Sequence, residues 1–177
     1  MRDTQTEPQV ILVDETDTPI GSKAKLQAHI DGDLHRCFSI ILFNKNGEML
    51  LQKRALCKYH CGGLWTNACC SHPAPGEDTL AGAKRRLYEE LGYRDVELKA
   101  LFQFIYRAEF ANGLIEHEYD HAYSGIVTHD PPKVDPEEVA ETKWISLNDL
   151  EEDLAQNPET YTVWFGLILA KLRELGK

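Results

Sequence analysis

The sequence lacks any run of apolar residues that approaches the roughly 20 needed to cross a bilayer. Its beginning, MRDTQTEPQV, has neither the apolar core of a secretion signal nor the Arg-rich amphipathic pattern of a transit segment. Internal repeats and low-complexity tracts are also missing. These absences predict a cytoplasmic protein with no membrane partner.

Cysteine and basic charge are both scarce. The 177 residues include five cysteines, an odd number, and two of them, Cys69 and Cys70, are adjacent. This is a poor disulfide framework and is typical of a reduced cytosolic protein. Lysine and arginine total 19 against 29 aspartates and glutamates, which leaves a net charge of -10. Nucleic-acid binders normally carry a basic face, so we expect no nucleic-acid partner, and an anionic ligand would need a local cluster of cations.

What the chain does contain is an ordinary globular composition with alternating strand and helix patterns. Hydrophobic residues make up 42% and charged residues 27%. The length predicts a single domain over 1–177 that buries about 70% of its unfolded surface. The predicted strands are 9–13, two runs within 36–54 around Asn46-Gly47, 96–107, 114–128 and 143–146, and the predicted helices are 77–91, 147–155 and 160–175. Residues 61–76 are predicted to be irregular, and the fold class is α/β (α+β).

The segment HEYDH, residues 117–121, fits the pattern H-E-x-x-H. On a helix this pattern binds zinc through two histidines and uses the glutamate as the base of a metalloprotease. The surrounding residues are β-branched and aromatic, however, which favours a strand. Alternation in a strand places Glu116, Glu118 and Asp120 on one face and His117, Tyr119 and His121 on the other. We therefore interpret the two glutamates as a metal-binding or acid/base pair, with a solvated acidic face as the alternative.

Residues 71–93, SHPAPGEDTLAGAKRRLYEELGY, resemble the Nudix box G-x5-E-x7-R-E-U-x-E-E-x-G-U, in which U is aliphatic. The matching positions are Glu77, Arg85, Leu87, Glu89, Glu90 and Gly92. Ser71 stands in place of the glycine, and Arg86 in place of a glutamate. In the motif, acidic side chains on a helix hold a divalent metal against a diphosphate, so the loss of one acid argues against ordinary Nudix hydrolysis. An exposed helix with Arg–Glu ion pairs one turn apart is the structural alternative.

Just upstream, residues 65–73 read WTNACCSHP, which is similar to the signature W-T-N-x-x-C-x-H-P of type 1 isopentenyl-diphosphate isomerases. These enzymes are built on the Nudix fold. The resemblance runs from about residue 10 to residue 170 through Lys25, Ala28-His29, His35, Phe38-Ser39, Arg54-Ala55-Leu56, Lys58, Tyr106-Arg107-Ala108, Glu116, Glu118 and Trp164. It implies a Nudix-like mixed β-sheet sandwiched between helices. One departure is that five residues separate His29 from His35, where some relatives have six.

The resemblance implies an isomerase that interconverts isopentenyl diphosphate and dimethylallyl diphosphate by protonation and deprotonation. Such a reaction needs two acid/base groups on opposite sides of the substrate and a dry pocket, because water destroys the carbocation intermediate. The implied pair is Cys70 and Glu118, in either order, with Tyr106 as the hydrogen-bond partner of Glu118. Trp164 would stabilise the cation through its ring, with a place in the helix core as the alternative. In extended backbone, Cys70 and His72 lie on one side and Cys69 packs on the other.

The resemblance also implies metals and a phosphate-binding cluster, but no redox cofactor. One metal site would consist of His29, His35, His72, Glu116 and Glu118, where the imidazoles favour Mn2+ or Zn2+. A Mg2+ ion would accompany the diphosphate, with Glu90 as its protein ligand. Phosphate charge would be neutralised by Lys25, Arg54, Lys58 and Arg86. Each of these residues taken singly also has a structural or surface alternative.

Two other functions stay open beside the isomerase: a Nudix pyrophosphohydrolase and a non-catalytic metal- or diphosphate-binding module. Hydrolysis has no need of Ser71, Arg86 or the TNxxCxHP segment, so these features favour the isomerase. The expected partner is a small allylic or homoallylic diphosphate, and the expected state is a monomer or weak dimer. A zinc knot of Cys37, Cys57, Cys61 and His60 fits no familiar spacing, so packing or surface roles are predicted for these four.

Overall fold

The computed structural model describes residues 7–58 and 60–176. The start of the chain, residues 1–6, for which no signal segment is predicted, lies outside the described residues. The strands are β1 Gln9–Val13, β2 Pro19–Ala24, β3 His35–Phe43, β4 Met49–Arg54, β5 Trp65–Asn67, β6 Cys69–Ser71, β7 Lys99–Glu109, β8 Ile115–Ile126 and β9 Val139–Ile145. The helices are α1 Lys25–Asp31, α2 Thr79–Leu91, α3 Leu147–Gln156 and α4 Val163–Glu174. No helix in this part of the chain is both long and apolar enough to cross a bilayer.

Strand β3 forms the centre of a mixed sheet. It pairs in parallel with β8 and antiparallel with β6, and its ends reach β1 and β4. Further out, β2 pairs with β1, β7 with β8, and both β5 and β9 with β4. The parallel pair needs a long crossover, and the chain between β3 and β8 supplies it together with α2. The mixed sheet confirms the predicted fold class.

Alternate side chains of β3 enter two different cores. Phe38, Ile40 and Leu42 pack in one buried cluster with Leu87 and Leu91 of α2. The opposite face carries Ile41, which lies in a second cluster with the buried residues of α4. The sheet therefore lies between helices, as the resemblance implied. Because the side-chain period of a strand is two, His35, Cys37 and Ser39 lie on the same face as Ile41, and His35 and Ser39 make this end of the face polar.

Two regions contain structure that the sequence patterns did not predict. The segment 61–76, predicted to be irregular, contains β5 and β6, each three residues long. Strand β2 and helix α1 were also missed. Helix α1 has only seven residues and begins after Ala24, which provides no side-chain cap, so no start signal marks it. The three strands β2, β5 and β6 are stabilised by pairing with β1, β4 and β3, and not by local propensity.

The last helix begins later than predicted and turns a slightly different face to the core. The sequence pattern gave 160–175, but Pro158–Thr160 form a separate 3-10 turn. Trp164, Ile168 and Leu172 are buried as predicted. Leu167 and Leu175 were also predicted on this stripe, but they are 42% and 50% exposed, and Phe165 and Leu169 are buried in their place.

Helix α2 has a clear start and a clear stop. It begins at Thr79, two residues after the predicted start, because the Asp78 carboxylate accepts a hydrogen bond from Ala81 N and caps the helix. It ends at Gly92 as predicted. Gly92 has a φ of 74°, and its N–H donates to Tyr88 O.

We expect Gly92→Ala to destabilise the protein, because left-handed backbone costs a non-glycine residue about 1–2 kcal/mol. A Cβ at this position would also lie 2.8 Å from the backbone nitrogen of Lys133, so that segment would have to shift. The midpoint of urea unfolding should fall accordingly. The matched control is Gly166→Ala in α4, where a Cβ meets no atom within 4 Å and helix propensity favours alanine. Equal midpoints for the two variants would contradict the expectation.

Candidate active site

A cavity of about 540 Å³ opens at the polar end of β3. This volume lies within the usual range for small-molecule sites. The predicted site residues that line the cavity are Cys70, Glu118, Tyr106, Trp164, Lys25, Arg54, Lys58, Arg86, His72 and Glu116. His29 and His35 lie beneath its wall and are fully buried. Most of the residues singled out by the resemblance therefore come together in one place.

Strand register brings these side chains together. Within the sheet, β3 aligns His35 with Glu118 on β8, and Ser39 with Cys70 on β6. Strand β7 aligns Tyr106 with Glu118 from the other side. On β8 the acidic residues 116, 118 and 120 are buried, while 117, 119 and 121 are only half-buried. The predicted alternation is confirmed, and the acidic face is the interior one.

Four predicted metal ligands converge. One ligand atom from each of His29, His35, His72 and Glu118 lies within 4.8 Å of all the others. His29 Nδ1 is 2.7 Å from Lys25 O, and His35 Nδ1 is 2.8 Å from Asp33 O. These backbone contacts leave each Nε2 as the remaining ring nitrogen and fix the ring orientation. His72 Nε2 and His35 Nε2 lie 2.8 Å and 3.4 Å from the same oxygen of Glu118.

The protonation of these groups fits a divalent transition metal. Burial, followed by the neighbouring His35, lowers the pKa of His29 to about 4. Burial likewise lowers the pKa of His72 well below its usual range. The two imidazoles are therefore neutral at physiological pH and offer lone pairs. Neutral imidazoles beside a buried carboxylate form a donor set that suits Zn2+ or Mn2+.

Glu116 lies apart from that group. Its ligand oxygen clusters within 4.8 Å of His29 and of His60, a residue with no predicted role in the site. The five residues predicted as one metal site thus divide into two adjoining groups that share His29.

Tyr106 links the two glutamates. Its hydroxyl lies 3.0 Å from Glu116 Oε2 and is also hydrogen-bonded to Glu118 Oε2. Burial and the adjacent Glu118 raise the pKa of Glu116 well above its ordinary value. Burial would also raise the pKa of Glu118, but hydrogen bonds from His35 and His72 outweigh it and lower that pKa well below its usual range. The two shifts have opposite directions, so they favour a proton on Glu116 over one on Glu118.

The Cys70 thiol is enclosed by polar partners. It donates to Asn67 Oδ1 at 3.0 Å, accepts from Trp164 Nε1 at 3.2 Å and lies 3.4 Å from Ser39 Oγ. Burial, and then the charge of Asp120, raises the pKa of the thiol to about 12. Cys70 is consequently protonated at neutral pH. Cys69 faces the other way, in the core cluster of α2, as predicted.

The predicted phosphate-binding cations surround the mouth of the cavity. Burial, and then the neighbouring Lys58, lowers the pKa of Lys25 to about 8. Lys58 and Arg86 both pair with Glu138, and the Arg86 contact measures 3.0 Å. The Arg54 guanidinium lies 5.5 Å from the centre of the Trp164 ring. An acidic chain thus carries a local group of cations, as an anionic ligand requires.

Glu90, the predicted Mg2+ ligand, occupies a different position from the other site residues. It is 3% exposed and is not among the residues that line the cavity. Its carboxylate accepts from Arg86 at 2.8 Å and from Gln52 at 3.3 Å. Arg86 therefore stands between Glu90 and the cavity in this conformation.

Several polar residues of the site had no predicted role. Ser39 and Asn67 lie in segments that resemble the isomerase family, and Asp120 was predicted to share a strand face with Glu116 and Glu118. No function was predicted for any of the three. Ser39 Oγ donates to Asp120 Oδ2 at 2.7 Å, which ties both to the surroundings of Cys70. Glu138 follows a proline-containing loop, and His60 fits no familiar metal-ligand spacing. No local sequence pattern therefore predicted that either residue would lie in the site.

Known proteins of high similarity share one name. Residues 33–165 match the family model of the NUDIX domain. The chain is 48% identical over 164 residues to the Isopentenyl-diphosphate Delta-isomerase of Pectobacterium atrosepticum, covering 93% of this chain and 90% of the relative. It is 48% identical over 167 residues to the Isopentenyl-diphosphate Delta-isomerase 2 of Aromatoleum aromaticum, covering 94% and 87%.

Solved structures agree on the architecture. The protein DR0079 from Deinococcus radiodurans superimposes with a TM-score of 0.75 at 16% identity, covering 92% of this chain and 98% of that one. The MutT protein from Methanosarcina mazei Go1 gives a TM-score of 0.64 at 20% identity, covering 81% and 96%. At these identities the likeness shows the fold alone.

We expect iodoacetamide to modify Cys57 well before Cys70 at pH 8, because Cys57 is exposed while Cys70 is a protonated thiol in the cavity wall. With a pKa of about 12 for Cys70, its thiolate fraction at pH 8 is on the order of 1,000-fold below that of an ordinary cysteine. Peptide mass spectrometry over time measures the order, and the fully buried Cys69 serves as an unreactive control. Earlier labelling of Cys70 than of Cys57 would show that Cys70 is a thiolate.

Proposed function

We propose a catalytic site for a chain that belongs to the NUDIX family and, within it, to the isopentenyl-diphosphate Delta-isomerases. The chain interconverts isopentenyl diphosphate and dimethylallyl diphosphate, as the similarity over more than nine-tenths of its length supports. The observation that carries our proposal is one cavity lined by the Cys70 thiol, the Glu118 carboxylate and a group of cations.

The reaction moves a double bond, so one carbon gains a proton and a neighbouring carbon loses one. Cys70 and Glu118 supply the two groups. In the resting state the thiol carries a proton and the carboxylate does not, so one acid and one base are ready. Turnover leaves the proton on Glu118 and a thiolate at Cys70. Before the next turnover Glu118 releases its proton to solvent and Cys70 takes one up, which restores the first state.

Tyr106 and Trp164 position the two acid/base groups. Tyr106 holds the Glu118 carboxylate through its hydroxyl. The indole N–H of Trp164 is shared between Thr66 Oγ1 at 3.0 Å and the Cys70 sulfur at 3.2 Å. The Trp164 ring also lines the cavity, where its face can stabilise a tertiary carbocation, an effect worth about 2 kcal/mol in a dry site. The rings of Tyr106 and Trp164 give the cavity apolar surface, and the cation survives only where water is excluded.

A divalent transition metal is proposed for the group of His29, His35, His72 and Glu118, and Mg2+ for the substrate diphosphate. When bound, the first ion would supply positive charge that keeps the buried carboxylates ionised. Lys25, Arg54, Lys58 and Arg86 would bind the diphosphate oxygens. The single domain over 1–177, the cytoplasmic location and the monomeric or weakly dimeric state stay predictions.

Hydrolysis is the second candidate, and the position of Arg86 opposes it. Arg86 pairs with Glu89, Glu90 and Glu138 at 2.8 to 3.0 Å. Ordinary Nudix hydrolysis needs such carboxylates for metal ions, and here a guanidinium neutralises them. We therefore favour isomerisation over phosphate release.

We expect NMR of the purified protein with isopentenyl diphosphate and Mg2+ in D2O to show dimethylallyl diphosphate that carries deuterium, without free phosphate. Cys70→Ala and Glu118→Gln should each lower kcat by about 10²- to 10⁴-fold, the usual contribution of an acid/base group. Cys57→Ala, which changes an exposed cysteine, is the control and should turn over normally. Release of phosphate by the wild-type protein would instead show that it hydrolyses the diphosphate.

We expect Lys58→Met to raise the KM for isopentenyl diphosphate by roughly tenfold, since a charge-assisted hydrogen bond contributes about 1.5 kcal/mol. The change in kcat should be smaller, because Lys58 lies among the cations and not beside Cys70 or Glu118. Steady-state kinetics measure both constants. Lys53→Met provides the control, because Lys53 is a half-exposed lysine that pairs with Glu141 and does not line the cavity. Unchanged KM in Lys58→Met would remove Lys58 from the phosphate site.

A further inference from the structure

Thr66 is a fully buried residue of β5 that contacts two partners of the Cys70 sulfur. A hydroxyl group can donate one hydrogen bond and accept two. Thr66 makes all three: its Oγ1 donates to Asn67 Oδ1 and accepts from Thr162 Oγ1 and Trp164 Nε1, each at 3.0 Å. The hydrogen-bonding capacity of this hydroxyl is therefore fully used in the wall behind Cys70.

The side chain of Asn67 has one favourable orientation. Its Nδ2 donates to Ile40 O at 3.1 Å and to Cys69 O at 2.9 Å, which uses both amide hydrogens. Its Oδ1 therefore faces Thr66 and Cys70, and it accepts a hydrogen bond from each at 3.0 Å. If the amide turned over, its oxygen would face two carbonyl oxygens. The thiol proton of Cys70 is consequently directed at Asn67.

Trp164 is held by the same hydroxyl. Its indole N–H, which can only donate, is shared between Thr66 Oγ1 at 3.0 Å and Cys70 Sγ at 3.2 Å. The ring is 2% exposed and packs in the core cluster that contains the buried residues of α4. Thr66 thus contacts both the acceptor of the thiol proton and a donor to the sulfur.

A second acceptor for the thiol proton lies farther away. Ser39 Oγ is 3.4 Å from Cys70 Sγ, and its own hydrogen is donated to Asp120 Oδ2 at 2.7 Å. The Ser39 oxygen therefore has lone pairs available to the thiol. The thiol proton has two possible directions, and Thr66 supports the shorter contact, the one with Asn67.

We propose that Thr66 is a positioning residue for the proton of the Cys70 thiol. Its hydroxyl holds Asn67 and Trp164 in place, so the sulfur and its proton have one resting geometry in the cavity wall. Thr66 and Asn67, both in the described part of the chain, do not line the cavity, so they act through Cys70. Resting on the proposed function, this geometry speeds proton transfer, because a group held in one orientation reacts faster than one that turns freely.

The kinetic test compares Thr66→Val with Thr162→Val. Both variants remove one buried hydroxyl at nearly constant volume and break the bond between the two threonines, but Thr66→Val also removes the contacts with Asn67 and Trp164. The Thr162 side chain makes no capping hydrogen bond to α4, so its loss leaves the start of that helix intact. Thr162→Val is therefore the matched control.

We expect Thr66→Val to lower kcat by about 10- to 100-fold and to leave KM within about twofold, because the thiol and not substrate binding is disturbed. Thr162→Val should keep kcat near the wild-type value, and Thr66→Ser, which restores the hydroxyl, should recover most of it. Equal kcat in Thr66→Val and Thr162→Val would overturn the proposal, since the pairing of the two threonines would then be the whole effect.

A second measurement uses the infrared S–H stretching band of Cys70 without substrate. The band is identified by its absence from Cys70→Ser. Its frequency falls as the hydrogen bond strengthens, so Thr66→Val should move it to higher frequency as the proton turns to the longer contact with Ser39. Thr162→Val should leave the band in place.

An unchanged band in Thr66→Val would overturn the proposal even if kcat fell. Thr66→Ala, which puts no methyl group beside Asn67, replaces Thr66→Val if that variant does not fold, and the same shift is expected. Because the band is measured without substrate, a protein that lacked isomerase activity would contradict the proposed function and not this role of Thr66.

Discussion

The site depends above all on the parallel pairing of β3 with β8. This register aligns His35 with Glu118 and Cys37 with Asp120, and it buries every second residue of the acidic run. A shift by one residue would carry His117, Tyr119 and His121 inward and turn the glutamates to the other face. This alignment places two of the metal ligands, His35 and Glu118, side by side, and Glu118 is also the proposed base. Apolar residues of the same strand, packed against α2 and α4, stabilise it.

Much of this arrangement could be predicted from residue patterns. The WTNACCSHP segment and the incomplete Nudix box identified the family, and period-two alternation correctly placed Glu116, Glu118 and Asp120 on a common face. The predicted end of α2 held because Gly92 marks it, whereas the helix starts two residues after the predicted start. Local patterns failed for helix α1 and for strands β2, β5 and β6, which are short elements stabilised by contacts with the rest of the sheet. They also failed for the contacts of His60 and Glu138, since these depend on how loops fold back onto the sheet.

Several ionisable side chains are buried in the interior of this protein. Glu116, Glu118, Asp120, His29 and His35 are all at most 5% exposed. Burying such groups costs stability unless each finds a partner, and removing one partner leaves another group uncompensated. Burial raises the pKa of Asp120 to about 7, so part of this cost is avoided by holding a proton. A bound cation would offset more of it, which couples the stability of the fold to its metal content.

The carboxylate of Glu138 lines the cavity and competes with an anionic ligand for its cations. It already engages Lys58 and Arg86, two of the cations available to an anion. An anion that binds Lys58 or Arg86 exchanges with this carboxylate, so the gain from either contact is the difference between two ionic contacts and not the whole of one. A monoanion gains little from such an exchange, whereas a diphosphate with several charged oxygens gains more. When the product leaves, the Glu138 carboxylate pairs with Lys58 and Arg86 again. This competition weakens product binding and favours product release.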